Sequence, residues 1–138
     1  MFQLNPYLIF HGQAQEALEL YTNALGLQIG MQQTYASSGQ EHTPDQSQWI
    51  MHAELCQNER CIAMICDQPQ NQKTEFIPVQ LSLNYTDLEQ MQLAFDQLSV
   101  GGQVTMPIAK QFWGAHFGML TDRFGIAWMM NCDPPTAD

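Results

Sequence analysis

The chain predicts an α+β fold made of two βαβββ modules, and three observations carry that expectation. The first is an internal repeat. Residues 51–66, MHAELCQNERCIAMIC, overlay residues 115–130, AHFGMLTDRFGIAWMM, without a gap. His52 then falls on His116, Leu55 on Met119, Ile62 on Ile126, Ala63 on Ala127 and Met64 on Trp128. Upstream, at a slightly larger offset, Pro6 to Phe10 lie over Gln80 to Asn84, Ala14 over Leu88, Ala17 over Met91 and Tyr21 over Phe95. The second is a helical apolar spacing in each half, closed by glycine. The third is a polar stretch at 67–78, with two prolines, between the halves. A repeated supersecondary unit builds two similar modules, and a site is expected between them.

The elements follow in order. Residues 5–11 form a short apolar run, a strand. Over 13–25, Ala14, Ala17, Leu18, Tyr21 and Leu25 keep helical spacing, and Gly26 stops the helix. Residues 28–35 read as a weaker strand, and 36–48 as a long exposed loop of polar and turn-forming residues. Strands at 49–56 and 61–66 flank a tight turn at Gln57–Arg60. In the second half, Gln80 to Tyr85 is a strand. Thr86 with Glu89 is a capping box opening a helix whose face carries Leu88, Met91, Phe95 and Leu98. Gly101 and Gly102 end it. A short strand at 103–106, a loop with Phe112-Trp113-Gly114, and strands at 115–121 and 126–131 around the turn Asp122–Gly125 complete the module. One domain, 4–132, is expected, with module one at about 4–67 and module two at about 78–132. Residues 133–138 are a tail.

Composition narrows the function. A chain of 138 residues, 45% hydrophobic, is long enough to bury a sizeable core. Four Lys and Arg against fourteen Asp and Glu give a net charge of −10, which argues against nucleic-acid and anionic-membrane surfaces. No apolar run is long enough to span a bilayer. The segment MFQLNPYLIF lacks a basic stretch and a small-residue cleavage site, so it reads as a strand, and a cytoplasmic location is expected. Cys56, Cys61, Cys66 and Cys132 contain no C-x-x-C pair, so buried thiols are expected, although Cys56 opposite Cys61 is geometrically compatible with a disulfide.

Two βαβββ modules in this length resemble the vicinal oxygen chelate superfamily, the glyoxalase/bleomycin-resistance/dioxygenase fold. PYLIFHGQAQEALELYTNALG at 6–26, MHAEL at 51–55, MP at 106–107, FWG at 112–114 and FGMLTDRFGIAWMMN at 117–131 resemble its PhnB-like branch. The resemblance implies curved sheets around a cleft and a homodimer. It also implies metal-ligand slots on the first and last strand of each module. Here these are Pro6, Gln80, Ile65 and Met129, none a good hard-metal donor. Some relatives in this branch carry a demethylubiquinone methyltransferase label, but no glycine-rich strand-to-helix turn for S-adenosylmethionine is present.

Strand alternation suggests which residues face the cleft. Met51, Ala53, Leu55, Ile62, Met64 and Cys66 are assigned to the face covered by the first helix. His52, Glu54, Cys56, Cys61, Ala63 and Ile65 are assigned to the cleft. In module two, His116, Gly118, Ala127 and Met129 join them, with Gln80, Ser82 and Asn84. By the repeat, so do Pro6, Leu8 and Phe10.

The candidate ligand-binding residues are therefore His52, Glu54, Gln80, Ser82, Phe112, Trp113 and His116, with His52 and Glu54 the candidates for catalysis. Two imidazoles and a carboxylate suit acid–base work or an atypical divalent metal, and equally suit a polar wall with neither role. Phe112 and Trp113 suit an aromatic lid, or a core or dimer contact. No cofactor is predicted. The leading expectation is a dimeric protein binding a small, partly apolar molecule without the usual metal site. The alternatives are a lyase- or isomerase-type enzyme using His52, Glu54 and His116, and sequestration of a cationic drug.

Overall fold

A computed structural model describes residues 3–70 and 79–135, and the α+β order βαβββ is present twice. The chain divides into two compact units, Met1–Thr74 and Glu75–Asp138. Residues 71–78 of the expected linker and 136–138 of the tail lie outside the described residues. No helix among the described residues is long and apolar enough to cross a membrane.

Unit one contains β1 (Tyr7–Phe10), α1 (Ala14–Leu25), β2 (Gln28–Thr34), α2 (Tyr35–Ser38), β3 (Ile50–Gln57) and β4 (Arg60–Asp67). The sheet order is β1-β4-β3-β2, with β1 parallel to β4 and the other pairs antiparallel. Helix α1 buries Ala14, Ala17, Leu18 and Tyr21, the spacing read from sequence, and Gly26 ends it in the left-handed region at φ 66°. Its core partners on the sheet are Leu8, Phe10, Ala53, Leu55, Ala63 and Ile65, all buried. The region read as a loop at 36–48 is more ordered than expected. Thr34 and Ser37 cap α2 reciprocally, and at a short 3-10 turn, Pro44–Gln46, the Gln46 side chain accepts from Thr43 N–H at 3.1 Å. These local side-chain bonds let a polar segment form turns without an apolar stripe.

Unit two contains β5 (Leu81–Tyr85), α3 (Leu88–Ser99), β6 (Gln103–Lys110), β7 (His116–Thr121) and β8 (Ala127–Cys132), in the order β5-β8-β7-β6. The N-cap of α3 is Asp87, whose carboxylate accepts from Gln90 N–H at 3.2 Å, and not Thr86 as the capping-box pattern suggested. Strand β6 runs four residues further than expected, through Pro107. As the edge strand with a bulge between Met106 and Ala109, it tolerates the missing N–H.

Register overturns several of the facing assignments. The hairpin between β3 and β4 turns on two residues, Asn58 and Glu59, with φ of 50° and 66°, and Gln57 pairs with Arg60. Cys56 does sit opposite Cys61, but Leu55 then pairs with Ala63, so Ile62 is an extra, bulged residue. Beyond it, the buried Ala63 and Ile65 face α1, whereas Met64 and Cys66 share the open face, the reverse of the expectation. Leu8 and Phe10 pair with Ile65 and Asp67 and are buried, so the open-face members of β1 are Tyr7 and Ile9. In unit two, His116, Gly118 and Leu120 pair with Cys132, Met130 and Trp128, all three buried. Gly118 lies against α3, where a Cβ would come within 3.0 Å of the Phe95 ring. His116 and Gly118 thus belong to the helix-covered face. Ala127 and Met129 lie on the open face as expected, together with Ser82 and Asn84. The gapless overlay is the source of the error, since a one-residue slip moves a side chain to the other face.

Among the described residues each unit buries one aspartate. Asp67, 1% exposed, accepts from Gly12 N–H at 2.8 Å and Ala14 N–H at 3.0 Å through Oδ1, and from Ile50 N–H at 3.0 Å through Oδ2. Its own carbonyl accepts from the Tyr35 hydroxyl at 2.7 Å. Asp122 accepts from Phe124 N–H at 2.9 Å and Ile126 N–H at 3.1 Å, and from Trp128 Nε1–H at 2.9 Å. Asp67→Asn replaces one acceptor oxygen with an NH2 facing a backbone donor. It is expected to lower unfolding stability by roughly 1–3 kcal/mol, read from the urea midpoint. Glu59→Gly relieves a left-handed glutamate and is expected to raise stability by up to about 1 kcal/mol in the same assay.

Candidate functional site

The open face of unit one carries a hollow of about 460 Å3. β1 supplies Tyr7 and Ile9, β3 supplies Met51, and the end of β4 supplies Cys66 and then Gln68. Tyr35 of α2 and Gln40 just beyond it complete the lining. Strict alternation would put Met51 with Ala53 against α1. It lines the hollow because Gln33 pairs with His52 while Thr34 pairs with Ile50, which makes Met51 a bulged residue. Met51 and His52 therefore both serve the open face, between the buried Ile50 and Ala53.

His52 is where the sequence placed it, on the open face. Its Nδ1 lies 2.8 Å from the Tyr7 hydroxyl. Burial, and then the neighbouring Cys66, push the Tyr7 phenol up to about 12 from 10.0. The phenol therefore keeps its proton at neutral pH and can donate it to Nδ1 in the His52 tautomer whose own proton sits on Nε2. Burial also raises Cys66, whose thiol has Tyr7 and Gln68 as hydrogen-bonding neighbours. Tyr35 is raised by burial as well, with Cys66 and Asp67 adding to it.

Glu54 shares the open face with His52, but no hydrogen bond joins the two among the described residues. Its carboxylate instead lies over Gly30, where a Cβ would fall 2.9 Å from Oε2 and 2.8 Å from Cys56 Sγ. All four cysteines are free thiols. Burial, and then Glu54, raise the Cys61 thiol. His116, on the helix-covered face of unit two, is not the open-face counterpart of His52. Gln80 precedes β5 and is exposed, and Ser82 is exposed on the open face of unit two. Phe112, 98% exposed, and Trp113, 52% exposed, stack edge-to-face at 4.9 Å in the β6–β7 loop, so Phe112 has no core role.

The metal-ligand slots that the resemblance implies at Pro6 and Ile65 lie beside Tyr7 and Cys66, which hold the open face of unit one. Among the described residues no three His, Cys, Asp or Glu side chains stand close enough together to hold a metal ion.

Residues 3–130 match the profile of the Glyoxalase/Bleomycin resistance protein/Dioxygenase superfamily. The chain belongs to this superfamily. It is 29% identical to protein YjdN of Escherichia coli strain K12, over 93% of both chains. Among solved structures, PA1353 from Pseudomonas aeruginosa is 35% identical with a TM-score of 0.82, over 96% of this chain and 98% of that one. A Bacillus cereus PhnB protein, described as a putative 3-demethylubiquinone-9 3-methyltransferase, is 25% identical with a TM-score of 0.81, over 95% and 99%. The PhnB-like likeness read from the sequence is thus supported by fold and by identity.

Sequence reasoning placed His52 and Glu54 on the open face but missed Tyr7, Cys66, Tyr35, Gln40 and Gln68. The bulge at Ile62 hid Cys66 and the overlay of β1 on β5 hid Tyr7, while Tyr35, Gln40 and Gln68 lie outside the strands that alternation can read. Tyr7→Phe removes the donor that fixes His52. Its 15N spectrum is expected to change from one dominant Nε2–H tautomer to a mixture of both. Because the folded phenol value lies above the unfolded one, the Tyr7 contribution to stability is intact below pH 10. It erodes as the pH climbs toward about 12, so the alkaline unfolding curve of Tyr7→Phe should be flatter there.

Proposed function

We propose that this PhnB-like chain binds a small, partly apolar molecule on the open face of unit one, without the superfamily's usual metal. The observation that carries the reading is the hollow itself, where Ile9 and Met51 lie among hydroxyl, thiol and carboxamide groups. A few polar groups placed against apolar surface are the usual make-up of a small-molecule site. His52 contributes through Tyr7, whose hydroxyl lies 2.8 Å from its Nδ1. The methyltransferase description belongs to the Bacillus cereus protein. In this chain the turn between β1 and α1 is His11-Gly12-Gln13, which offers no glycine-rich loop for a nucleotide-like cofactor.

The enzymatic alternative rests on His52, which could exchange a proton with a bound molecule through Nε2. Glu54 is turned toward Gly30 and Cys56, which favours binding over a His–Glu acid–base pair. We also propose a homodimer. The exposed Phe112 and Trp113 are the apolar side chains that a partner copy would cover.

Native mass spectrometry of freshly purified protein is expected to reveal a bound molecule. His52→Ala should leave stability within about 0.5 kcal/mol, as for a surface change, and weaken that binding by roughly tenfold. A large stability loss with unaltered binding would make His52 a structural residue. Light scattering at micromolar concentration is expected to give the dimer mass, and a monomer mass would refute the pairing.

A further inference from the structure

We propose that the hollow of unit one selects an uncharged, ring-bearing molecule with a carboxamide- or lactam-type edge, and rejects both anions and cations of the same shape. The proposal rests on the binding reading above and specifies its ligand.

Among the described residues, no Asp, Glu, Lys or Arg lines the hollow. The nearest buried carboxylate, Asp67, faces the other side of the sheet with Phe10 and is occupied by three backbone N–H groups. The Tyr35 hydroxyl is committed to the Asp67 carbonyl, and the Tyr7 hydroxyl to His52. The ionisable groups that do line the hollow keep their protons, because burial raises Tyr7, Tyr35 and Cys66 alike. The remaining polar groups are the side-chain amides of Gln40 and Gln68. Each amide offers both a donor and an acceptor, so the complementary ligand edge carries both as well. Ile9 and Met51 supply the apolar surface for a ring.

An ion in the hollow would give up water without meeting an opposite charge, which is costly. The chain's net charge of −10 attracts cations only at long range, and salt screens that attraction. The overall charge and the hollow therefore point to different ligands, so the choice can be tested.

Benzamide, benzoate and benzamidinium have one shape and three charges. The test titrates each into the full chain at pH 8 and follows the backbone amides of Ile9, Met51 and Cys66 by 15N–1H NMR. Benzamide is expected to shift them at a concentration about tenfold lower than either ion, and to do so independently of salt. Equal or tighter binding of benzamidinium or benzoate at these amides would overturn the selectivity and leave the binding site standing. If no probe shifts these amides, both readings fall. Gln68→Glu places a carboxylate at the rim and is expected to reverse the preference toward benzamidinium. An unchanged order in that variant would also overturn the proposal.

Discussion

The carboxylate of Asp67 holds unit one together. It sits at the end of β4 and gathers the N–H groups of Gly12 and Ala14, where β1 turns into α1, and that of Ile50, where β3 begins. Gln13, the N-cap of α1, makes no side-chain cap, so a strand residue far along the chain does that work at the helix N-terminus. The Asp67 carbonyl takes the Tyr35 hydroxyl and so fixes α2 as well. A buried carboxylate is tolerable only when its lone pairs are satisfied, and here three backbone N–H groups satisfy them, with no counter-ion among the described residues. Because Cys66 and Gln68 flank Asp67, this arrangement also sets the floor of the hollow. Asp122 plays a comparable part in unit two, at a hairpin, by joining the turn to Trp128.

Much of the fold was legible in the sequence because it depends on periodicity. The apolar positions of α1 and α3, the glycines after them and the strand order of each module were all present in the pattern. Facing was less legible. It depends on parity, and parity changes wherever a strand carries an extra residue. The bulge at Ile62 inverted the reading of β4, and the bulge at Met51 allowed Met51 and His52 to share a face. The repeat then spread the error. Ile65 was laid over Met129, and His52 over His116, although the members of each pair face opposite ways.

The buried aspartates were missed for a different reason. An aspartate at a strand end, beside polar residues, reads as a turn former in water. Only the paired strands show that three backbone donors converge on it. Asp122 was read correctly as part of a hairpin turn, yet its bond to the Trp128 indole required the register of β8. Glu54 shows the converse. Its face followed from alternation, but its direction depended on the absence of a side chain at Gly30, which leaves room for the carboxylate and for Cys56.

The register also determines the chemistry available to the site. Had the facing read from the repeat held on β1 and β4, Pro6, Leu8, Ala63 and Ile65 would face outward and the wall would be apolar. The observed register instead brings Tyr7 and Cys66 forward, and both hold their protons. The hydroxyl of Tyr7 lies 2.8 Å from His52 Nδ1 and so orients the imidazole on the open face. Acidic residues elsewhere keep the chain highly charged, while the hollow is lined by neutral donors and acceptors. This separation follows from the fold. The strands that build the hollow are anchored from behind by Asp67, whose charge is spent on backbone groups and so need not be balanced by a cation on the open face.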